Sequence, residues 1–187
     1  MSQSVDRKAT HGWGSTPSQR HFVSHEQALK ILEAGVKRAK EIKYVGTLAR
    51  GLGFATQTRR ERISQLTMRQ SVPQNIAVLD PAAWLVGFVR MDNAFLGSID
   101  IAQKKAKTTV FYNGIPSDGI KQRAEPGGDI FAIEQTNGGT VVFGGGLPIY
   151  DSEGYFIGAV GVSGGTVEED VDVAKAAVEG SGVGTTS

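Results

Sequence analysis

Two short apolar runs joined by a tight turn constrain the fold of this chain more than any other feature. The runs are 75–80, Asn-Ile-Ala-Val-Leu-Asp, and 84–89, Trp-Leu-Val-Gly-Phe-Val, with Pro-Ala-Ala between them. Runs of this length, rich in β-branched and aromatic residues and separated by turn residues, are typical of paired strands. We therefore predict a β-hairpin at this position.

A helix is predicted shortly after the hairpin. Its apolar positions recur at helical spacing, at Ile99, Ala102, Ala106 and Val110. The small residues in the middle of this stripe allow the helix to lie close to a sheet. Ser98 is the expected N-cap of this helix.

Capping boxes mark the start of a first and a last helix. Ser24 with Gln27, and Thr166 with Glu169, have the spacing at which side chain and backbone cap each other. The predicted inner faces are Ala28, Leu32, Gly35, Val36 and Ala39 in the first helix, and Val167, Val171, Ala174 and Val178 in the last.

The glycine-rich stretches 138–148 and 154–165 alternate glycine with β-branched and aromatic residues. This pattern is typical of strands that end in sharp turns. A phosphate-binding loop does not fit, because the Gly-Gly-Gly at 144–146 precedes a predicted strand and no Gly-Lys-Ser/Thr follows. Together with the helices, these strands predict an α+β domain.

Composition places this domain among ordinary globular proteins. The chain has 187 residues, a net charge of +1 and no cysteine. Disulfides and cysteine-based metal sites are thereby excluded, and nothing in the overall charge favours nucleic acid. With no apolar leader at the N-terminus and no long apolar run, we expect a cytoplasmic protein with no membrane partner. We expect residues 1–22 to be a disordered tail, 23–180 the domain and 181–187 a second tail.

Segment 44–71 differs from the rest of the predicted domain. It contains five arginines and one acidic residue, and glycines interrupt any period. One interpretation is a basic anion-binding or nucleic-acid-binding arm. The interpretation that we favour is an inserted surface segment, since joining residue 43 directly to residue 72 would give an ordinary short connection. An unspliced intervening stretch in a predicted gene is one source of such a segment.

Candidate chemistry is sparse in the predicted domain. The histidines are His11, His21 and His25, all ahead of the predicted sheet. A Ser-His-Asp arrangement and the usual histidine ligands of zinc or haem iron are therefore not expected there, so no catalytic residue and no metal site is assigned.

The middle helix carries a lysine-rich face. Such a face is usually solvated, but an anionic ligand docking beside it would find partners in Lys104, Lys105, Lys107 and Arg90. Tyr112 and Met91 are the neighbouring side chains that could approach an iron atom, although packing is the simpler role for both.

Eight blocks of sequence, in order along the chain, resemble the GlcG/HbpS-like haem-degrading domain family. The similarity runs from the first helix to the last and omits segment 44–71. The blocks are Ile-Ala-Val-Leu-Asp at 76–80, Arg-Met-Asp at 90–92, Gly-Ser-Ile-Asp-Ile-Ala-Gln at 97–103, Lys-Ala-Lys-Thr at 105–108, Pro-Gly-Gly at 126–128, Thr-Asn-Gly-Gly at 136–139, Phe-Gly-Gly-Gly-Leu-Pro at 143–148 and the stretch 157–166.

The resemblance implies a two-layer sandwich, with an antiparallel sheet of about five strands and helices packed on it, as in profilin- and PAS-like domains. It also implies a homo-oligomer that binds haem and in some members degrades it, with Thr108 at the haem. In the first hairpin, Trp84 stands where the family often has the histidine of Asp-x-Gly-Gly-His. The alternative is a non-enzymatic sensor or accessory module for another small metabolite or a corrinoid.

Overall fold

The computed structural model describes residues 21–42 and 71–182. The helices are α1 (His25–Glu41), α2 (Gly97–Phe111), the one-turn α3 (Lys121–Ala124) and α4 (Val167–Gly180), with a 3-10 turn at Ile133–Gln135. The strands are β1 (Asn75–Leu79), β2 (Leu85–Arg90), β3 (Gly146–Tyr150) and β4 (Phe156–Ser163).

The strands form one antiparallel sheet in the order β2-β1-β4-β3. The predicted hairpin is confirmed, with Ile76 of β1 opposite Val89 of β2. β1 also pairs with β4, where Leu79 lies opposite Ala159. Because the end of β1 lies beside the beginning of β4, the β1–β2 and β3–β4 turns project from the same end of the sheet.

Helices cover both faces of this sheet. On β1, Ile76 and Val78 pack with α1 and α4, whereas Ala77 and Leu79 pack with α2. Full burial of a side chain such as Ile76 contributes roughly 1.5–3 kcal/mol to stability. The predicted α+β class and antiparallel sheet are confirmed. The sheet has four strands instead of about five, and it is a middle layer because β1 is buried along its whole length.

The close approach of α2 to the sheet, predicted from its small residues, is confirmed. Ala102 and Ala106 are fully buried. At Gly161 of β4, a Cβ atom would overlap the Ala102 carbonyl oxygen, so the helix backbone rests directly on the strand. Small side chains on α2 and glycine on β4 are thus complementary requirements of the same contact.

Both predicted capping boxes are confirmed. The Gln27 backbone N–H donates to Ser24 Oγ at 3.2 Å, and the Ser24 N–H donates to Gln27 Oε1 at 2.8 Å. The Glu169 N–H donates to Thr166 Oγ1 at 3.3 Å, and the Thr166 N–H donates to Glu169 Oε2 at 2.8 Å. These local bonds explain why the ends of α1 and α4 could be located from sequence.

Two predictions about helix details are wrong. The N-cap of α2 is Leu96, which makes no side-chain capping bond, and Ser98 lies inside the helix. On α4, Val167 is exposed, and Val173 and Ala177 are buried. The helix meets both β4 and α1, so its buried face is rotated from the one that apolar spacing alone favours.

The predicted strand across 138–145 is also wrong. This segment is a loop, and strand structure begins only at Gly146. Gly139 and Gly145 have φ angles of 95° and 116°, which lie outside the range of extended L-residues. The glycines therefore serve a turning loop and not a strand.

Most of the predicted flanking segments lie outside the described residues. This applies to residues 1–20 of the N-terminal tail, to all of 44–71 except residue 71, and to residues 183–187 of the C-terminal tail. In the part of the chain that the structure describes, no helix is long and apolar enough to cross a membrane.

Candidate functional site

Lys105, expected to face a ligand, is buried between α2 and α4. Its Nζ donates hydrogen bonds to Asp170 Oδ2 at 2.7 Å and to the Val162 carbonyl oxygen at 2.8 Å. The same nitrogen lies 4.8 Å from the centre of the Phe143 ring. In this structure its charge is therefore used inside the domain.

Asp170 completes this buried pair at the start of α4. Its Oδ1 accepts hydrogen bonds from the backbone N–H groups of Gly164 and Gly165, at 3.1 and 2.9 Å. Desolvation raises the pKa of the Asp170 carboxyl, although Lys105 acts in the opposite direction. Desolvation also lowers the pKa of the Lys105 ammonium group. The pair links α2 to the loop that leads into α4.

Thr108 is covered by the glycine-rich loop. Its Oγ1 donates to the Lys104 carbonyl oxygen at 2.9 Å and accepts from the Val141 N–H at 3.0 Å. The residue is almost fully buried. The hydroxyl group has two partners and does not line an open cleft, so a ligand could reach it only if the loop around Val141 moved.

The other predicted site residues are dispersed. Lys104 Nζ lies 2.9 Å from Asp100 Oδ2 on the outer side of α2. Arg90 is exposed at the end of β2, beside a cavity of about 780 Å³. The Tyr112 hydroxyl is enclosed, with no hydrogen-bond partner among the described residues. The structure therefore does not gather these residues around one accessible ligand site.

Asp80 organises the turn between β1 and β2. Its Oδ1 accepts hydrogen bonds from the N–H groups of Ala82 and Trp84, each at 2.9 Å. Ala83 has a φ of 63°, in the left-handed region that costs an L-residue free energy. The aspartate thereby holds Trp84 at the first position after the turn.

Asp151 organises the turn between β3 and β4 in the same way. Its Oδ1 accepts from the N–H groups of Glu153 and Tyr155, each at 2.9 Å. Gly154, the counterpart of the strained alanine in the first turn, has a φ of 85°. Tyr155 is therefore the counterpart of the tryptophan in the first turn.

The two turns present large apolar side chains to solvent. Trp84 is 74% exposed, Leu85 49% and Tyr155 52%. Side chains of this size are usually buried to a large extent in a folded domain. We call Trp84, Leu85 and Tyr155 the hairpin-end surface, and exposure of this kind is characteristic of sites that bind a partner or a ligand.

His21 lies against one edge of this surface. Its Nδ1 is 3.0 Å from Asp151 Oδ2, and its ring centre is 3.9 Å from that of Tyr155, with an interplanar angle of 31°. The segment is held in place by the Val23 N–H, which donates to the Ile157 carbonyl oxygen at 2.7 Å. A histidine distant in sequence thus becomes part of the domain.

Sequence reasoning missed this histidine because it precedes the first helix and has no local partner. The repeated spacing Asp-x-x-x-aromatic, at 80–84 and 151–155, is the signal that could have drawn attention to the two turns. It could not have identified His21, since the contact joins residues 130 positions apart.

The described residues form an α+β domain with a four-stranded antiparallel sheet between helices. The chain belongs to the HbpS-like haem degrading protein family, whose profile matches residues 57–179. An uncharacterized 15.0 kDa protein of Citrobacter freundii, from the dhaT-dhaS intergenic region, is 35% identical over 67% of this chain and 87% of its own length. The corrinoid adenosyltransferase PduO of Salmonella typhimurium is 32% identical over 79% of this chain, a match that spans only 42% of PduO.

Solved structures of similar proteins share this fold. The chain in a crystal structure of a PduOC–haem complex is 28% identical in sequence to this chain. The match covers 89% of this chain and 99% of the PduOC chain, with a TM-score of 0.67. The Klebsiella pneumoniae protein ORFY is also 28% identical, covers 89% of this chain and 96% of its own, and has a TM-score of 0.67. HbpS, 21% identical over 84% of this chain and 89% of its own with a TM-score of 0.61, shares the fold.

Proposed function

We propose that this protein binds haem, with the porphyrin ring against the hairpin-end surface. The observation that carries the proposal is the exposure of Trp84 and Tyr155 at equivalent positions of two matching turns. A flat apolar ring gains from contact with exposed aromatic side chains. The family to which the chain belongs, and its similarity to PduOC, which was crystallised with haem, also support this proposal.

The residues at the hairpin end fit haem better than those around the middle helix. The hairpin end has accessible aromatic rings and an imidazole, the side chain that most often ligates haem iron. At α2, Thr108 and Lys105 are buried and engaged with protein partners. The set Thr108, Lys105, Lys104, Arg90 and Tyr112 stays a prediction, and a haem held there requires displacement of the glycine-rich loop.

Titration of the purified protein with haemin tests the proposal and the location. We expect a saturable change in the Soret band, weakened several-fold by Trp84→Ala. Phe131→Ala is the matched control, because Phe131 is also aromatic and exposed but lies on another loop. No saturable change in the wild-type spectrum would contradict haem binding. Weakening by Thr108→Ala with no effect of Trp84→Ala would favour the site at α2.

Haem degradation is tested on the same samples. Haem bound at an exposed surface supplies an iron centre that peroxide can reach. We expect faster loss of the Soret band and faster release of chelatable iron from haem-loaded protein than from free haemin at equal peroxide. Equal rates would restrict the function to binding.

A corrinoid is the second candidate ligand, and the similarity to PduO favours it. Adenosyltransferase activity does not follow from this similarity, because the match spans less than half of PduO. Parallel titrations with haemin and with cob(III)alamin distinguish the two candidates. A saturable response to the corrinoid alone would replace haem with a corrinoid as the proposed ligand.

We also propose that the protein is a cytoplasmic homo-oligomer. Phe95 and Leu96, adjacent at the start of α2, are 68% and 70% exposed, which favours an additional apolar contact. The mass from light scattering during size-exclusion chromatography should exceed that of one chain and fall in Leu96→Lys. A monomeric wild type would contradict this part of the proposal.

A further inference from the structure

The contact of His21 with Asp151 determines how the imidazole is presented. The carboxylate Oδ2 lies 3.0 Å from Nδ1, and the Tyr155 ring lies along one face of the imidazole. An ionised carboxylate can only accept a hydrogen bond, so Nδ1 carries the proton. The neutral ring then has its lone pair on Nε2.

This arrangement is the one that proteins use to prepare a histidine for a metal. Ligating histidines commonly donate the second ring N–H to a carboxylate, which selects the tautomer, orients the ring and increases the basicity of the ligating nitrogen. Asp151 is itself held by the turn, since its other oxygen accepts two backbone hydrogen bonds. The imidazole is therefore oriented by a carboxylate that is itself hydrogen-bonded to the turn backbone.

The position of His21 suits a haem at the hairpin-end surface. The ring lies close to that of Tyr155, a member of that surface, and about half of the histidine side chain is exposed. Trp84 belongs to the other turn at the same end of the sheet. His21 therefore brings an imidazole to this end of the domain from a distant part of the chain.

We propose that His21 is an axial ligand of haem iron through Nε2, with Asp151 as its positioning residue. The proposal rests on the haem-binding function proposed above and adds the ligand to it. Haem iron accepts imidazole as an axial ligand.

Spectroscopy of haem-loaded variants tests the assignment. In the wild type we expect the iron–histidine stretching band in the resonance Raman spectrum of the ferrous form. His21→Ala should lose this band and regain imidazole ligation when imidazole is added. His25→Ala is the matched control and should keep the band, because His25 lies at the start of α1 and the structure gives it no contact with Asp151.

Asp151→Asn separates positioning from ligation. The amide oxygen can still accept the two turn hydrogen bonds, while the amide NH₂ placed next to Nδ1 favours the tautomer with the proton on Nε2. We expect this variant to remain folded, by circular dichroism, and to show a weakened iron–histidine band with haem binding retained.

The outcomes separate the assignment of His21 from haem binding itself. Haem binding with the iron–histidine band intact in His21→Ala overturns the assignment of His21 and leaves haem binding in place. Absence of saturable haem binding by the wild type overturns both. Loss of the band in His21→Ala and in His25→Ala alike also overturns the assignment, since the effect would then be unspecific.

Discussion

Lys105 of α2 and Asp170 of α4 form an ion pair that is shielded from solvent, with 2.7 Å between Nζ and Oδ2. The remaining polar atoms of the pair are also satisfied, by the Val162 carbonyl oxygen and by the Gly164 and Gly165 N–H groups. A buried pair of this kind adds little net stability relative to apolar residues, but loss of one member leaves a buried charge without its partner.

Lys105→Met should therefore be strongly destabilising. We expect the free energy of unfolding, measured by urea denaturation, to fall by about 3–5 kcal/mol because the Asp170 carboxylate loses its counter-charge. Adding Asp170→Asn should recover part of the loss, since the amide oxygen still accepts from the glycine N–H groups. A single variant as stable as the wild type would show that the carboxyl is already neutral.

Asp151 should titrate below its ordinary range. Desolvation pushes the pKa of this carboxyl up, but the hydrogen bonds from His21 and from the Tyr155 and Glu153 N–H groups together outweigh it, so the pKa lies below its ordinary value. A depressed carboxyl pKa stabilises the fold above the unfolded-state pKa, and this contribution is lost as pH falls through the folded-state value.

In His21→Ala we expect the Asp151 pKa to rise relative to the wild type, as followed by NMR of the side-chain carboxyl carbon. The pKa of Asp129, which is lowered chiefly by its hydrogen bond with Arg123, is the internal control and should not change. An unchanged Asp151 pKa would indicate that the histidine is not in contact with it in solution.

Ala83→Gly should stabilise the protein. Ala83 has a φ of 63°, which costs an L-residue about 1–2 kcal/mol, whereas glycine adopts this angle freely. Glycine has more conformational entropy in the unfolded chain, and this offsets part of the strain relief. We therefore expect the free energy of unfolding, measured by urea denaturation, to rise by about 0.5–1 kcal/mol. Ala82→Gly, in the same turn but outside the positive-φ residues, should be destabilising. A loss in Ala83→Gly as large as in Ala82→Gly would contradict the strained turn.

Gly161→Ala should separate α2 from the sheet. The new Cβ atom would overlap the Ala102 carbonyl oxygen, and we expect a loss of about 1–3 kcal/mol from overpacking. Gly97→Ala is the control, because nothing lies within 4 Å of a Cβ atom at that position. Thermal unfolding of both variants measures the difference, and equal melting temperatures would contradict the close contact.

Removal of residues 44–71 should leave the described domain intact. The Val72 N–H donates to the Ala39 carbonyl oxygen at 3.1 Å, so the chain at residue 72 is adjacent to the end of α1. In the shortened chain Val72 follows Ala39 by five positions, the spacing of the hydrogen bond that closes a Schellman motif. We expect unchanged circular dichroism and equal or better solubility. An insoluble product would indicate that the segment is needed for folding.

Several features of this protein follow from local sequence. Hydrogen bonds between residues three positions apart place the starts of α1 and α4 at Ser24 and Thr166, and the two apolar runs around a tight turn specify the first hairpin. The resemblance to the haem-degrading family depends on ordered blocks and also needs no coordinates. In each case the physical reason is that the interacting groups are close together in the chain.

The tertiary structure alone decided which chemical groups are accessible. The spacing of apolar residues does not reveal that the loop around Val141 covers Thr108, or that Lys105 forms a buried ion pair with Asp170. It also does not reveal that His21 forms a hydrogen bond with Asp151. These contacts join residues 33 to 130 positions apart, and their formation depends on packing of the whole domain. For that reason the sequence by itself determined the fold class and the family, while only the packed structure determined that Thr108 and Lys105 are buried and that His21 lies beside Asp151.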